Sequence, residues 1–126
     1  MSDMKYTKDH EWIKIEDGNV AVIGITEFAQ DALGDLVFVE LPEMGASVSK
    51  GDDFAVVESV KTAAEVYTPV TGEVVAINDN LEGDAELIKK SIDEGWIAKI
   101  KMTDESEIAD LMDKAAYDKF LAEQDH

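Results

Sequence analysis

Hydrophobic and polar positions alternate along most of this chain, and turn residues punctuate the alternation into short strands. Tyr6 to Ile15 has strand composition, and the cluster Glu16-Asp17-Gly18-Asn19 supplies a turn. Val20 to Ile25 follows as an apolar run, so the chain opens on a predicted hairpin. From Thr26 the rhythm turns helical: Phe28, Ala29, Ala32 and Leu33 share a face, Thr26 is placed to cap it and Gly34 to close it. Leu36 to Leu41 is apolar on both faces, which predicts a strand in the middle of its sheet.

The stretch from Phe54 to Val70 reads as two strands with one lysine at the bend. Phe54, Val56 and Val60 fall on one face of the first arm; Ala64, Val66, Thr68 and Val70 do so on the second. There is no Asn-Gly or Gly-Gly to make the usual tight hairpin. Instead Lys61, with Ser59 before it and Thr62 and Ala63 after it, occupies the tip. A long side chain among small neighbours can enter another protein's active site, although an ordinary solvated lysine has the same pattern.

Beyond it, Val74 to Ile77 is a strand, Asn78 to Asp84 is polar and turn-like, and Leu87 to Asp93 is irregular, a short strand running into a loop. Gly95 to Met102 alternates as a last strand. The period then becomes helical. Asp104 and Glu107 have capping-box spacing ahead of Ile108, Leu111 and Met112. A second helix starts near Asp113, with Tyr117, Phe120 and Leu121 as its apolar stripe. Both stripes are assigned to core cover.

An internal repeat runs through this pattern. Pro42-Glu43-Met44-Gly45-Ala46-Ser47-Val48 has the form P-x-x-G-x-x-V, and Pro69 to Val75 has it again, 27 residues later. Each copy is followed by a Gly-Asp pair, Gly51-Asp52 and Gly83-Asp84. Two such units predict a small, mainly β sandwich or flattened barrel with approximate two-fold symmetry. Lys61 lies between them.

Composition narrows the chemistry. A chain of 126 residues, 45% hydrophobic, is enough for one domain with a core. There is no cysteine, which removes disulfides, thiolate metal sites and cysteine nucleophiles. With His10 and His126 the only histidines, neither a histidine metal site nor a catalytic triad is supported. Redox or acyl-transfer chemistry would need an attached group. Twenty-nine acids against eleven lysines give a formal charge of −18, which argues against nucleic acid and anionic membrane surfaces. The same charge serves solubility, or steers the chain toward basic protein faces. Neither a signal peptide nor a transit segment is visible, which implies a cytoplasmic protein, prokaryotic or in its mature form.

Several segments together resemble the glycine cleavage system H proteins, a family of lipoyl carriers. They are Tyr6-Thr7-Lys8-Asp9-His10-Glu11-Trp12, Gly24-Ile25-Thr26-Glu27, Leu33-Gly34-Asp35, Val37 to Pro42, Glu58-Ser59-Val60-Lys61, Gly72-Glu73-Val74, Gly95-Trp96 and Tyr117 to Leu121. The resemblance covers nearly the whole chain. It implies a lipoyl-type fold across residues 1–126: an N-terminal hairpin at about 6–25, a β sandwich at about 36–102 and helices at about 104–124.

It further implies that lipoate is joined to Lys61 as an amide, with Glu58, Ser59 and Val60 as the recognition flank. A lipoate ligase or a lipoyl or octanoyl transferase would make the bond. Lysine plus lipoyl gives an arm reaching on the order of 10–15 Å by bond geometry, and the group brings the sulfur chemistry the chain lacks. The implied partners are a pyridoxal-phosphate glycine decarboxylase, a tetrahydrofolate-dependent aminomethyltransferase and a flavin dihydrolipoamide dehydrogenase. The first loads an aminomethyl group, the second unloads it and the third reoxidises the arm. The chain itself would be a carrier and not an enzyme.

The resemblance also places Glu11 and Glu65 on the wall of a cleft that shelters the loaded arm, where a carboxylate attracts the carried ammonium. Asp9 stands where relatives often have serine, and either adds charge to this cleft or points outward. His10 is assigned a structural role. The chain departs from the family at Phe28, where histidine is common, and at Ile88 to Asp93, which lacks that loop's usual Asn and Pro. The rival readings are a lipoyl relay that hands the group to other carriers, and a lipoyl domain of a 2-oxoacid dehydrogenase complex. Val60 before Lys61 and the absence of an Ala/Pro-rich linker count against the second.

Overall fold

In the computed structural model, which describes residues 4–16, 19–89 and 92–124, the alternating segments pair as two antiparallel sheets. β1 (Lys5–Tyr6), β2 (Glu11–Glu16) and β3 (Val20–Ile25) come first, with β2 and β3 in unbroken register from Glu11↔Ile25 to Glu16↔Val20. Two residues of the turn predicted between them, Asp17 and Gly18, lie outside the described residues. The predicted strand from Tyr6 to Ile15 is broken by a turn at 7–10, where His10 takes a left-handed φ of 69°.

The helix expected from Thr26 is present as α1 (Glu27–Leu33). The Thr26 side chain accepts from the Ala29 amide, and Gly34 ends the helix at φ 81°. Strands β4 (Leu36–Glu40), β5 (Ser47–Val48), β6 (Asp53–Ser59), β7 (Ala63–Tyr67), β8 (Gly72–Ile77) and β9 (Ala98–Met102) complete the sheets. The larger has six strands in the order β1-β2-β3-β9-β8-β5; the smaller has the order β4-β6-β7. The N-terminal hairpin is therefore built into the sandwich. Ile13, Ala21, Ile23, Val74 and Ile100 of the large sheet meet Val39, Val57 and Val66 of the small one in one buried cluster.

The repeat has a structural counterpart. Its two copies lie against each other: Ser47 of the first faces Glu73 of the second, and the Val74 amide donates to the Ala46 carbonyl. In each contact a sixth repeat position meets a fifth, which is the mark of a local two-fold axis. Gly72 is required here, because a Cβ on it would stand 2.0 Å from the Lys101 carbonyl oxygen.

Several expectations are corrected. β4 is an edge strand of its sheet and not a central one. Its Leu36 and Val39 are buried, but a register shift between Leu36 and Phe38 leaves Val37 and Phe38 58% and 43% exposed. On β6 the buried phase is Ala55 and Val57 rather than Val56 and Val60. A second register shift, between Asp53 and Ala55, resets the alternation, so Phe54 is also buried.

Between β8 and β9 the structure is helical, with no strand at Leu87. Here lie α2 (Asn80–Gly83), a 3-10 turn (Ala85–Lys89) and α3 (Ile92–Gly95), while Lys90 and Ser91 fall outside the described residues. Buried Asn78 organises the segment by donating to the carbonyls of Glu94 and Trp96. The last strand accordingly starts at Ala98, after Gly95 has closed α3.

The first C-terminal helix is a 3-10 turn, Glu105–Asp110. Asp104 accepts from the Ser106 amide, but Glu107 makes no capping box. Its carboxylate accepts instead from the Thr71 amide at 2.6 Å and the Thr71 hydroxyl at 2.8 Å. The second helix, α4 (Lys114–Gln124), buries Tyr117 and half-buries Phe120 and Leu121, as the stripe predicts. Among the described residues no helix is long and apolar enough to cross a membrane.

Candidate functional site

β6 and β7 present Lys61 at the hairpin tip they form, and Ser59 sets the shape of that tip. The Ser59 hydroxyl accepts from the amides of Lys61 and Thr62, each at 3.1 Å, and donates to the Thr62 carbonyl at 3.1 Å. The Ser59 amide donates to the same carbonyl at 2.7 Å. The Val60 amide donates to the Asp35 carbonyl at 3.0 Å, fastening the tip to the loop that follows α1. These five hydrogen bonds hold an exposed lysine on a defined turn, the arrangement its neighbours predict.

The Lys61 side chain runs over Gly34. A Cβ built on Gly34 would lie 3.5 Å from Lys61 Cε and 3.7 Å from Nζ. Sequence reasoning gave Gly34 only a helix-closing role. That it also forms the surface beneath the lysine depends on the packing of α1 against the hairpin, which no local pattern carries.

Beside this contact a cavity of about 200 Å³ opens between α1 and the hairpin. Its walls are apolar near the tip, from Ala32 and Leu33 of α1 and Val57 and Ala64 of the hairpin. Asp9, His10, Glu11 and Glu65 border it as well. The structure thus brings the two predicted glutamates and Asp9 to one cavity. Glu65 stands four residues from Lys61, about 13 Å at the rise of a strand, which is within the expected reach of an acylated lysine. A larger groove, of about 630 Å³, lies beyond Phe28 between α1 and α4. Neither β6 nor β7 contributes to it, so the site is assigned to the smaller cavity.

The two glutamates differ in their surroundings. Glu11 is only 2% exposed. Its carboxylate accepts from the Thr7 hydroxyl at 2.7 Å and the Tyr67 amide at 3.2 Å. Burial nevertheless dominates and pushes its pKa up to about 7, against the lowering effect of those hydrogen bonds. Glu65 is exposed on the outer strand β7, with its carboxyl group hydrogen-bonded to Asp53. That bond, and the charge of Asp53, raise its pKa above the ordinary glutamate value.

His10 has a structural part, as the sequence suggests. Its Nδ1 lies 2.8 Å from the Tyr117 hydroxyl, which is also 2.8 Å from the Thr26 hydroxyl. Phe28 packs on the imidazole with ring centres 4.4 Å apart, and burial lowers the His10 pKa. This cluster joins α4 to the entrance of α1, and its His10 and Phe28 line the cavity.

The family comparison decides what kind of site this is: residues 4–124 match the model of the glycine cleavage H-protein. The chain belongs to that family. A glycine cleavage system H protein of Phenylobacterium zucineum is 56% identical over 120 residues, covering 94% of this chain and 98% of the relative. H proteins of Sodalis glossinidius and Rhodospirillum rubrum are 50% and 48% identical, covering 98% and 99% of this chain and 95% and 100% of those relatives. The crystal structure of a glycine cleavage system H protein from Mycobacterium marinum superposes with a TM-score of 0.84 at 33% identity, covering 98% of both chains. The mainly β, lipoyl-type sandwich expected from the sequence is therefore the fold. As an H protein, the chain is a carrier component of the glycine cleavage system and not itself a catalyst.

Proposed function

We propose that Lys61 is the lipoyl attachment point, and that residues 1–126 act as one carrier domain in the cytoplasm of a prokaryotic cell. The chain would receive an aminomethyl group at a pyridoxal-phosphate glycine decarboxylase and deliver it to a tetrahydrofolate-dependent aminomethyltransferase. It would then be reoxidised by a flavin dihydrolipoamide dehydrogenase. A lipoate ligase or a lipoyl or octanoyl transferase installs the group.

The observation that carries this reading is the position of Lys61. It is an exposed primary amine on a turn fixed by Ser59, next to a cavity with apolar walls within one arm's length. These residues fit a lipoyl group: the amine can form its amide, and the cavity can take its hydrocarbon chain. When bound, the group supplies the disulfide–dithiol chemistry that this cysteine-free chain lacks.

The chain's own residues position and protect. Ser59 presents the lysine; Ala32, Leu33, Val57 and Ala64 exclude water; Asp9, Glu11 and Glu65 attract a cationic cargo toward the far end. An ammonium entering the cavity favours the Glu11 carboxylate, so its arrival lowers the raised Glu11 pKa and shifts the group toward its ionised form.

The test is intact mass and peptide mapping of protein produced with lipoate and a lipoate ligase. One lipoyl increment on the peptide containing Lys61 is expected. Lys61→Ala should abolish both the increment and glycine–bicarbonate exchange with the decarboxylase. Exchange at the wild-type rate in that variant would overturn the shuttle.

A further inference from the structure

The outward face of the small sheet carries an apolar patch that folding leaves uncovered. Val37 and Phe38 on edge strand β4 are 58% and 43% exposed, and Val60 at the tip is 66% exposed. Strand pairing places Phe38 directly opposite Glu58 and Glu40 opposite Val56. The Val60 amide is bonded to the Asp35 carbonyl, two residues from Val37. The patch is thus continuous with the base of Lys61 and fringed by Asp35, Glu40 and Glu58. Scattered apolar residues on a surface need no explanation; a cluster beside a reactive amine, with a charged rim, does.

We infer that Val37 and Phe38 extend the recognition flank of Lys61 into a docking face for the enzyme that acylates it. This rests on the proposed role of Lys61. Reach identifies the occupant. A bare lysine extends only about 6 Å from its Cα by bond geometry, so an enzyme acting on Nζ must close over the tip and its flanks. Partners that act at the end of an acylated arm work on the order of 10–15 Å away and need not cover them. In the acylation the Nζ–carbonyl bond forms as the carbonyl's bond to its leaving group breaks, releasing AMP from an acyl adenylate or a thiol from a thioester, and the proton lost by Nζ passes to the leaving group or to water. The acidic fringe and the formal charge of −18 call for a partner surface that is apolar at its centre and rimmed by lysine and arginine.

The test uses full-length Val37→Ser and Phe38→Ser proteins with purified lipoate ligase, and counts lipoyl groups on Lys61 by mass. Phe38→Ser should lower kcat/KM for lipoylation about tenfold, mainly through KM, as loss of one apolar anchor does. Its melting temperature and the reaction of Lys61 with a small activated ester should stay at wild-type values. Variants lipoylated to completion by long incubation should be used by the decarboxylase within about twofold of wild type. Lipoylation of both variants at the wild-type rate would overturn the docking face and leave the carrier reading standing. So would an equal loss with the decarboxylase, which would make the patch a general contact surface. Failure of the wild-type protein to accept a lipoyl group on Lys61 would overturn both.

Discussion

The Glu11 carboxylate accepts the backbone N–H of Tyr67 at 3.2 Å, across 56 residues of sequence. The contact joins β2 of the large sheet to β7 of the small one, beside the cavity that begins near Lys61. One buried acid therefore ties the two sheets together and, in the proposed carrier role, faces the cargo as well.

That double role has a pH signature. Glu11 titrates near 4.5 when exposed and at about 7 in the folded chain, so between those values the native state holds a proton that the unfolded state has released. Stability consequently falls as pH rises through this window, by about 3 kcal/mol for a group shifted this far. Glu11→Gln should match the wild type below pH 4.5 and gain on it up to pH 7, less the cost of a weaker bond to Thr7 or Tyr67. Urea denaturation from pH 4 to 8 checks this.

Function should respond in the opposite direction. With no carboxylate at position 11, a cationic cargo in the cavity loses its buried counter-charge, and the loaded form should release its aminomethyl group several-fold faster. Glu65→Gln should do less, because Glu65 is exposed and bonded to Asp53. Timed loss of the loaded group by mass spectrometry ranks the two. Equal, unchanged lifetimes would remove both residues from the site.

Ser59→Ala deletes the hydroxyl that the Lys61 and Thr62 amides share. The tip is exposed, so the cost in global stability should be about 1 kcal/mol. Local order should suffer more. Hydrogen exchange at the Lys61 and Thr62 amides should accelerate, and the lipoylation rate should fall several-fold as the lysine loses its fixed presentation.

Tyr117→Phe removes one hydroxyl from two partners, His10 and Thr26, each 2.8 Å away. Thr26 is buried, and it loses one of its hydrogen-bond partners, so about 1–3 kcal/mol of stability should go. Urea unfolding at pH 8, where His10 is neutral, measures it.

The sequence by itself determined what short-range physics controls: α1 and its caps, the pairing of β2 with β3, and the tip that carries Lys61. In each, a period, a cap or a turn residue lies within a few positions of the structure it specifies. The repeat likewise implied a β sandwich, and the missing cysteines implied that redox or acyl-transfer chemistry would need an attached group; the carrier role came from the family resemblance. Tertiary structure decided the remainder. Whether Val37 and Phe38 face core or water depends on which strands flank β4, and two register shifts reset the alternation on β4 and β6. Glu107 has capping-box spacing, but the Thr71 amide and hydroxyl took its carboxylate. The cavity has the same origin. Leu33, Glu11 and Glu65 are far apart in the chain, and only the packing of α1 and β2 against the hairpin brings them to one cavity.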